Sequence, residues 1–234
     1  MKKIVVSTGA GVSAESGMPT YRDAGGLWEN YPVMEVASDQ GFARNPELIH
    51  RFYNNMRKKL TDQIKPNAAH LGLAAMESDY DMRIITQNVD NLHERAGSTK
   101  VLHLHGELMK VRSVNHPERV YELPSDELTD KGLETSPQTR DRYGDGVRPH
   151  IVFFGESVPN FEPAALLARE ADVFVIIGTS LVVYPAAGLL SYVRRGVPVY
   201  YIDPNPVAVP SFVNVIAEPA TRGVAELARL LNGQ

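Results

Sequence analysis

The chain has no cysteine among its 234 residues, which excludes disulfides, thiolate nucleophiles and thiolate-ligated zinc together. It also has no excess of positive charge: 24 Lys and Arg against 28 Asp and Glu give a formal net charge of −4. A basic face for nucleic acid or for an anionic membrane surface is therefore not expected. No apolar run approaches the ~20 residues of a membrane span. The opening Met1-Lys2-Lys3 and Ile4-Val5-Val6 give way at once to Ser7-Thr8-Gly9, too soon for a secretory h-region, so a cytoplasmic protein is expected. With 43% hydrophobic and 22% charged residues, the chain can bury one good core and a small satellite lobe.

Continuous apolar strands are expected at 4–7, 83–87, 173–177 and 197–202, with a fifth at 213–216, and such runs imply a parallel sheet covered on both faces. Helical patterns at 45–60, 67–78, 163–170, 185–195 and 222–231 alternate with them. The fold class is α/β: a Rossmann-like, doubly wound parallel sheet. The stretch 111–147 differs, being rich in charge, Pro, Ser, Thr, Asp and Gly, with only Arg119-Val120-Tyr121 strand-like. It reads as a small inserted lobe, so the larger domain comprises 1–110 and 148–234, and helices between 30 and 80 are candidates to join the lobe.

Three segments could carry chemistry. Gly9-Ala10-Gly11-Val12-Ser13-Ala14 fits the dinucleotide fingerprint after a strand and before a helix, where small residues admit a pyrophosphate to backbone N–H groups. A merely tight strand-to-helix turn is the competing reading. A plain dehydrogenase would add an acidic residue at the end of a second strand about 20 residues on, whereas Tyr21-Arg22-Asp23-Ala24-Gly25-Gly26-Leu27-Trp28 is a loop. At the carboxyl edge of the strand at 83–87 lies Gln87-Asn88-Val89-Asp90-Asn91-Leu92-His93, with amides and a carboxylate suited to a ribose or a carboxamide, or equally to a helix cap. Leu102-His103-Leu104-His105-Gly106-Glu107 places two histidines at strand spacing. One could be a general base, a paired-His metal site would need a distant third ligand, and a plain core histidine fits His103 better than His105.

Together these segments resemble the sirtuin family. The matching blocks are residues 8–23 (Thr8-Gly9-Ala10-Gly11-Val12-Ser13-Ala14-Glu15-Ser16-Gly17-Met18-Pro19-Thr20-Tyr21-Arg22-Asp23), Thr86-Gln87-Asn88-Val89-Asp90-Asn91-Leu92-His93, and His103-Leu104-His105-Gly106-Glu107. Phe154-Gly155-Glu156 and residues 178–186, from Gly178-Thr179-Ser180 to Pro185-Ala186, complete them in order. Pro66-Asn67-Ala68-Ala69-His70, Ala96-Gly97 and Arg148-Pro149-His150 resemble the bacterial and mitochondrial deacylase branch.

The resemblance implies NAD as a consumed co-substrate. Gly9, Ala10, Gly11, Ala14 and Glu15 would hold it on one side and Gly178, Thr179 and Ser180 on the other. Arg22 would face the phosphates, with the loop 23–28 ordering on binding, and Gln87, Asn88 and Asp90 would surround the nicotinamide ribose. Asp203 stands where the family usually has Asn for the adenosine ribose. The acyl-lysine carbonyl oxygen would attack the anomeric carbon and release nicotinamide. His105 would then take a ribose hydroxyl proton, and water would complete the release of free lysine and acyl-ADP-ribose. Acylated proteins or peptides would lie extended between Phe154-Gly155-Glu156 and the loop at Val182.

Family members that favour negatively charged acyl groups carry a Tyr and, three residues later, an Arg. Here Tyr53 matches, with Ala37 as the small residue nearby, but the later position is Met56. Arg57 follows one residue on and shares a helix face with Tyr53, so it could partly substitute; core packing is the plain reading of Tyr53 and Met56. Uncharged acyl groups are expected, with succinyl or malonyl removal kept open. Most of the family holds structural zinc with four cysteines in the inserted segment; this chain has Ser113 and a lone His116 there, so no zinc is expected and the lobe must stand on its own packing or move. A monomer is expected. The basic residues Arg51, Arg57, Lys58 and Lys59 read as a solvated helix face. Readings from other classes are an NAD- or ADP-ribose-binding regulatory module and a protein mono-ADP-ribosyltransferase.

Overall fold

The computed structural model describes residues 1–20 and 31–233; Arg22 and the expected mobile loop at 23–28 lie outside the described residues. Along the chain the elements are β1 (Lys3–Thr8), α1 (Gly11–Ala14), α2 (Val33–Val36), α3 (Asp39–Arg44), α4 (Pro46–Asp62), α5 (Ala68–Ala75), β2 (Asp81–Thr86), α6 (Leu92–Ala96) and β3 (Val101–His103). Then come β4 (Gly106–Ser113), β5 (Val120–Glu122), β6 (Val147–Ile151), α7 (Phe161–Glu170), β7 (Val173–Ile177), β8 (Val199–Ile202), β9 (Val213–Ile216) and α8 (Ala220–Asn232), with 3-10 turns at Met76–Ser78 and Ala186–Tyr192.

Six strands form one sheet in the order β3-β2-β1-β7-β8-β9, every neighbouring pair parallel. Alternation along β1 sends Ile4 and Val6 to one face, under α5 and α8, and Val5 to the other, under α7 and the second 3-10 turn. Both faces are therefore covered at the centre of the sheet, where β7 and β8 are hydrophobic and buried along their whole length. The chain runs outward from β1 to β3, then returns to β7 and runs the opposite way. That reversal between β1 and β7 is the topological switch point at which open α/β sheets leave a crevice beyond the carboxyl ends of the strands.

Several boundaries differ from the sequence expectation. β8 begins at Val199 because Pro198 has no N–H to give to a ladder, although its carbonyl accepts from Phe174. The expected helix at 185–195 is only the 3-10 turn Ala186–Tyr192. β4 and β6 were not anticipated. Polar residues such as Glu107, Lys110 and Arg112 break the apolar run of β4, a half-buried strand. With β5, these two build an antiparallel sheet in the order β5-β4-β6, so the lobe's strands start before residue 111 and end after 147.

Helix α4 packs on strands β4 and β6 of the lobe, and Arg95 of α6 donates to its Leu60 carbonyl at 3.1 Å. Asn45 caps α4 by accepting from Leu48 N at 3.0 Å, with Pro46 at the first helical position. Its apolar face packs Ile49, Phe52, Tyr53, Met56 and Leu60 against Leu108, Ile151 and Phe153. Arg57 corrects two expectations, because it is 0% exposed and belongs to no solvated face. Its Nε donates to the Leu108 carbonyl at 2.9 Å, and Nη1 donates to the Leu133 carbonyl and to Asn54 Oδ1, each at 2.7 Å. Thr135 is fastened to the same helix, its hydroxyl 2.9 Å from His50 Nδ1 and its backbone paired with Asn54.

The lobe has its own core of Val111, Tyr121, Leu123, Leu128 and Val147. Around it the Asp141 carboxylate accepts from the Tyr121 hydroxyl and from the Tyr143 and Asp145 N–H groups, each at 2.9 Å. Ser113 is buried and accepts from His116 N. No group of three or more His, Asp or Glu side chains among the described residues is placed to hold a metal ion. Nor is any described helix long and apolar enough to cross a membrane.

Candidate active site

The crevice at the switch point is a cavity of about 470 Å³. Its floor is two glycine turns in backbone contact: Gly9 N donates to the Ile177 carbonyl and Gly11 N to the Gly178 carbonyl, both at 2.9 Å. Gly178 sits at φ +61, and a Cβ there would lie 2.4 Å from Val12 N. A Cβ on Gly9 would lie 2.6 Å from the Gly178 carbonyl oxygen. Only glycine allows this approach, and it leaves a shallow backbone cradle of the kind a pyrophosphate occupies.

Of the residues expected from sequence, Gly9, Ala10, Gly11, Ala14, Glu15, Gln87, Asn88, His105, Gly178, Thr179, Ser180 and Asp203 all line this cavity, as do Tyr53, Phe154, Gly155 and Glu156. Four described residues do not. Asp90 is 3% exposed and lies behind the wall, accepting from Ser13 Oγ at 3.0 Å and Leu92 N at 3.1 Å. Met56 is packed in the α4 core, Arg57 faces the lobe, and Val182 points to solvent while Val183 and Tyr184 form the wall in its place.

The polar groups are held in a chain. Asn88 Nδ2 donates to the Gly9 carbonyl and to Ser13 Oγ, each at 3.1 Å, and Gln87 Nε2 donates to Thr179 Oγ1 at 3.3 Å. The end of β2 is thereby tied to the ends of β1 and β7. Glu15 lines the cavity while its carboxylate accepts from Thr221 N at 3.0 Å and Thr221 Oγ1 at 2.8 Å, capping α8. Asp203 accepts from Asn205 N at 2.9 Å in a turn at the carboxyl end of β8.

His105 follows β3. Its Nδ1 lies 3.0 Å from the Gln87 carbonyl oxygen, an acceptor, so the proton of the neutral ring sits on Nδ1 and Nε2 is left as a base. Burial holds its pKa below the ordinary histidine value, with the Gln87 carbonyl opposing that, so the ring is neutral near pH 7.

Sequence reasoning did not single out the second layer. His70 and His93 stack edge to face with centroids 4.9 Å apart. His70 Nε2 lies 3.4 Å from Ser13 Oγ and His93 Nε2 lies 3.1 Å from Thr8 Oγ1. Burial lowers both pKa values, that of His70 to about 4. Arg148, noted only within the branch-like Arg148-Pro149-His150, is 6% exposed and lies 3.7 Å above the Phe153 ring. Its Nη1 donates to Glu156 Oε1 at 2.8 Å, and Glu156 Oε2 accepts from Phe153 N at 2.7 Å. Burial alone would raise the Glu156 pKa, but Arg148 and the Phe153 N–H hold it below the carboxylate range. Glu156 thus shapes segment 153–156 from within, and Phe154 N donates to the Ala37 carbonyl at 2.8 Å across the cleft.

Known proteins share this arrangement. The pattern of the Sir2 family matches residues 9–185. The chain is 52% identical to an NAD-dependent protein deacylase of Bacteroides thetaiotaomicron over 99% of its own length and 98% of that protein's. It is 46% identical to one of Helicobacter pylori strain J99, over 97% and 94% of the two lengths. Among solved structures, a Sir2 homologue in complex with NAD superposes with a TM-score of 0.84 at 37% identity, covering 99% of this chain and 90% of that one. A Sir2 protein bound to an acetylated peptide gives 0.81 at 29% identity, covering 99% and 94%.

Proposed function

The chain belongs to the Sir2 family, and from that premise we infer that it is an NAD-dependent protein deacylase, consuming NAD to free acylated lysine side chains. The observation that carries the reading is the position of His105. A neutral imidazole with its tautomer set by Gln87 opens onto the cavity that the two glycine turns floor.

NAD supplies an activated glycosidic bond that breaks to release nicotinamide. Gly9, Ala10, Gly11 and Gly178 seat its pyrophosphate by close backbone approach, with Ala14, Thr179 and Ser180 beside them. Asp203 and Glu15 lie toward the adenosine ribose, and Gln87 and Asn88 toward the nicotinamide ribose. Arg22 is assigned to the phosphates by resemblance. Asp90 acts at one remove, through Ser13 and the backbone at Leu92. His105 Nε2 accepts the ribose hydroxyl proton, a step in which a placed base contributes about 10²–10⁴-fold. Acylated protein lies extended along 153–156 and the loop ending in Val183 and Tyr184, read through its backbone.

The acyl group enters the apolar end of the cavity, lined by Ala37, Tyr53, Val89, Ile151 and Phe153. Among the described residues that line the cavity there is no Lys or Arg, so a buried succinyl or malonyl carboxylate would go unpaired at a cost of several kcal/mol. Acetyl and other uncharged acyl groups are therefore the preferred substrates. The reading also has the protein acting in the cytoplasm as a monomer, without nucleic acid.

Mass spectrometry of an acetylated and a succinylated peptide incubated with protein and NAD tests this. Free lysine with acyl-ADP-ribose, faster from the acetyl peptide and absent with His105→Ala, is expected. Consumption of NAD with both peptides intact would overturn it in favour of another acceptor for ADP-ribose, and bound but unconsumed NAD would leave only a binding module.

A further inference from the structure

A plain core histidine was the reading that fitted His103 better than His105, yet its surroundings are those of a charged group. It ends β3, is 7% exposed, and directs both ring nitrogens at acceptors. Nδ1 lies 3.0 Å from the Asn88 carbonyl oxygen and Nε2 lies 2.8 Å from Glu94 Oε1. A carbonyl and an ionised carboxylate accept and cannot donate, so a ring that satisfies both carries two protons. Either neutral tautomer would turn a nitrogen lone pair toward an oxygen. The backbone is pinned too, since the His103 carbonyl accepts from Asn160 Nδ2 at 2.7 Å.

Charges on every side agree with this geometry. Burial disfavours the imidazolium, but Glu94 from α6, Glu107 from β4 and the Asn88 carbonyl outweigh it and hold the His103 pKa above its ordinary value. Lys110, also on β4, is paired with Glu107 at 2.7 Å, and His93 on α6 is kept neutral by its burial. In the loop itself, burial raises the Asp90 pKa while the His103 charge works to keep it ionised. His105, two residues on, lacks such a carboxylate partner and is held neutral, so adjacent turns of chain carry one histidine as base and one as cation.

We propose that the imidazolium of His103 is a positioning residue of this deacylase: bonded to Glu94 behind, it clamps the Asn88 carbonyl and thereby fixes loop 87–90 against NAD. The proposal rests on the assignment of that loop to NAD. Gln87, the anchor of His105, and Asn88, the tie between the glycine turn and Ser13, both lie in the clamped segment. Since only the protonated ring donates to Glu94 and to the Asn88 carbonyl at once, the clamp loses its backing as the ring deprotonates, and kcat/KM for NAD falls as pH rises through the His103 pKa, giving an alkaline limb distinct from the acid limb of His105.

The test has two arms. In the wild-type protein, 15N chemical shifts of the His103 ring are expected to show both nitrogens protonated at pH 7.5; a neutral ring at that pH would overturn the proposal whatever the activity. In Glu94→Gln the carboxylate is gone, so the alkaline limb of kcat/KM for NAD should move to lower pH by about one unit or more, with KM for the peptide unchanged. A folded Glu94→Gln variant whose limb stays in place would also overturn it, because a merely structural contact would lower activity without moving the limb. If the wild type deacylates neither peptide, the activity reading fails instead, and the ring shifts still decide the charge on His103.

Discussion

The carboxyl edge of the six-stranded sheet and the inserted lobe are both loop-rich and polar, yet they use their polar groups in opposite ways. In the lobe, Asp141 bonds Tyr121, Tyr143 and Asp145, and Asp145 in turn accepts from Asn115 and Arg119. Arg57 and Thr135 close the joint to α4. At the sheet edge, the supporting layer is equally well bonded, but His105, its Nδ1 beside the Gln87 carbonyl, lines a cavity floored by bare glycine backbone. Hydrogen bonds closed on one another can do for a small lobe what a metal does elsewhere, whereas a site for chemistry needs its last polar atoms left open over a firmly bonded base.

The sharpest way to break the comparison is His105→Ala. Deacylation measured by peptide mass spectrometry should fall about 10²–10⁴-fold, while urea-monitored stability drops by no more than about 1 kcal/mol, the worth of one hydrogen bond. A large loss of stability would mean that His105 belongs to the supporting layer.

Acidification should strike both regions alike, because each hides a neutral histidine: His50 at the lobe joint and His70 beneath the glycine turn. Burial lowers both pKa values to about 4, with the nearby Arg57 also lowering that of His50. Between about pH 6.5 and 4 the unfolded chain binds protons that these folded rings refuse, so stability rises with pH across that window and is lost as pH falls through it. At about 1.4 kcal/mol per unit of separation, the combined loss is on the order of a few kcal/mol, readable from urea unfolding at pH 7 and pH 4.5. A flat profile would mean that both rings are protonated in the fold.

Arg57→Met should cost stability through the Leu108 and Leu133 carbonyls it strands, about 1–3 kcal/mol for each buried group left unpaired. The acetyl-to-succinyl rate ratio should not change, and a shift in that ratio would return Arg57 to the acyl pocket. Asp141→Ala removes the acceptor of three donors within the lobe, and about 1–3 kcal/mol is expected with KM for NAD unaltered. The smallest effect should come from a chelator: melting temperature and deacylation rate are expected to stay unchanged in excess EDTA, since no thiolate is available to hold zinc.

The glycine fingerprint, the amides at 87–88, His105 and the main parallel strands were legible because each rests on a local rule. Doubly buried strands must be apolar, and a turn that meets a phosphate must be small. Residues 111–147 were legible only as an interruption. β4 and β6 were missed because a half-buried strand mixes Lys, Arg and Glu with its apolar positions, and periodicity then gives no answer.

What the sequence determined by itself is therefore the fold class and the edge of the sheet that carries the cavity, with His105 among its lining residues. What only the tertiary structure decided is where charge comes to rest. Arg57 and Met56 are consecutive on one helix, yet the cation is bonded to the lobe and does not line the cavity. Arg148 lies under segment 153–156, and His103 and His105, at strand spacing, differ in their partners. Each outcome depends on which carbonyls and carboxylates the fold brings within 3 Å or so of a buried nitrogen, and those partners lie up to 109 residues away along the chain.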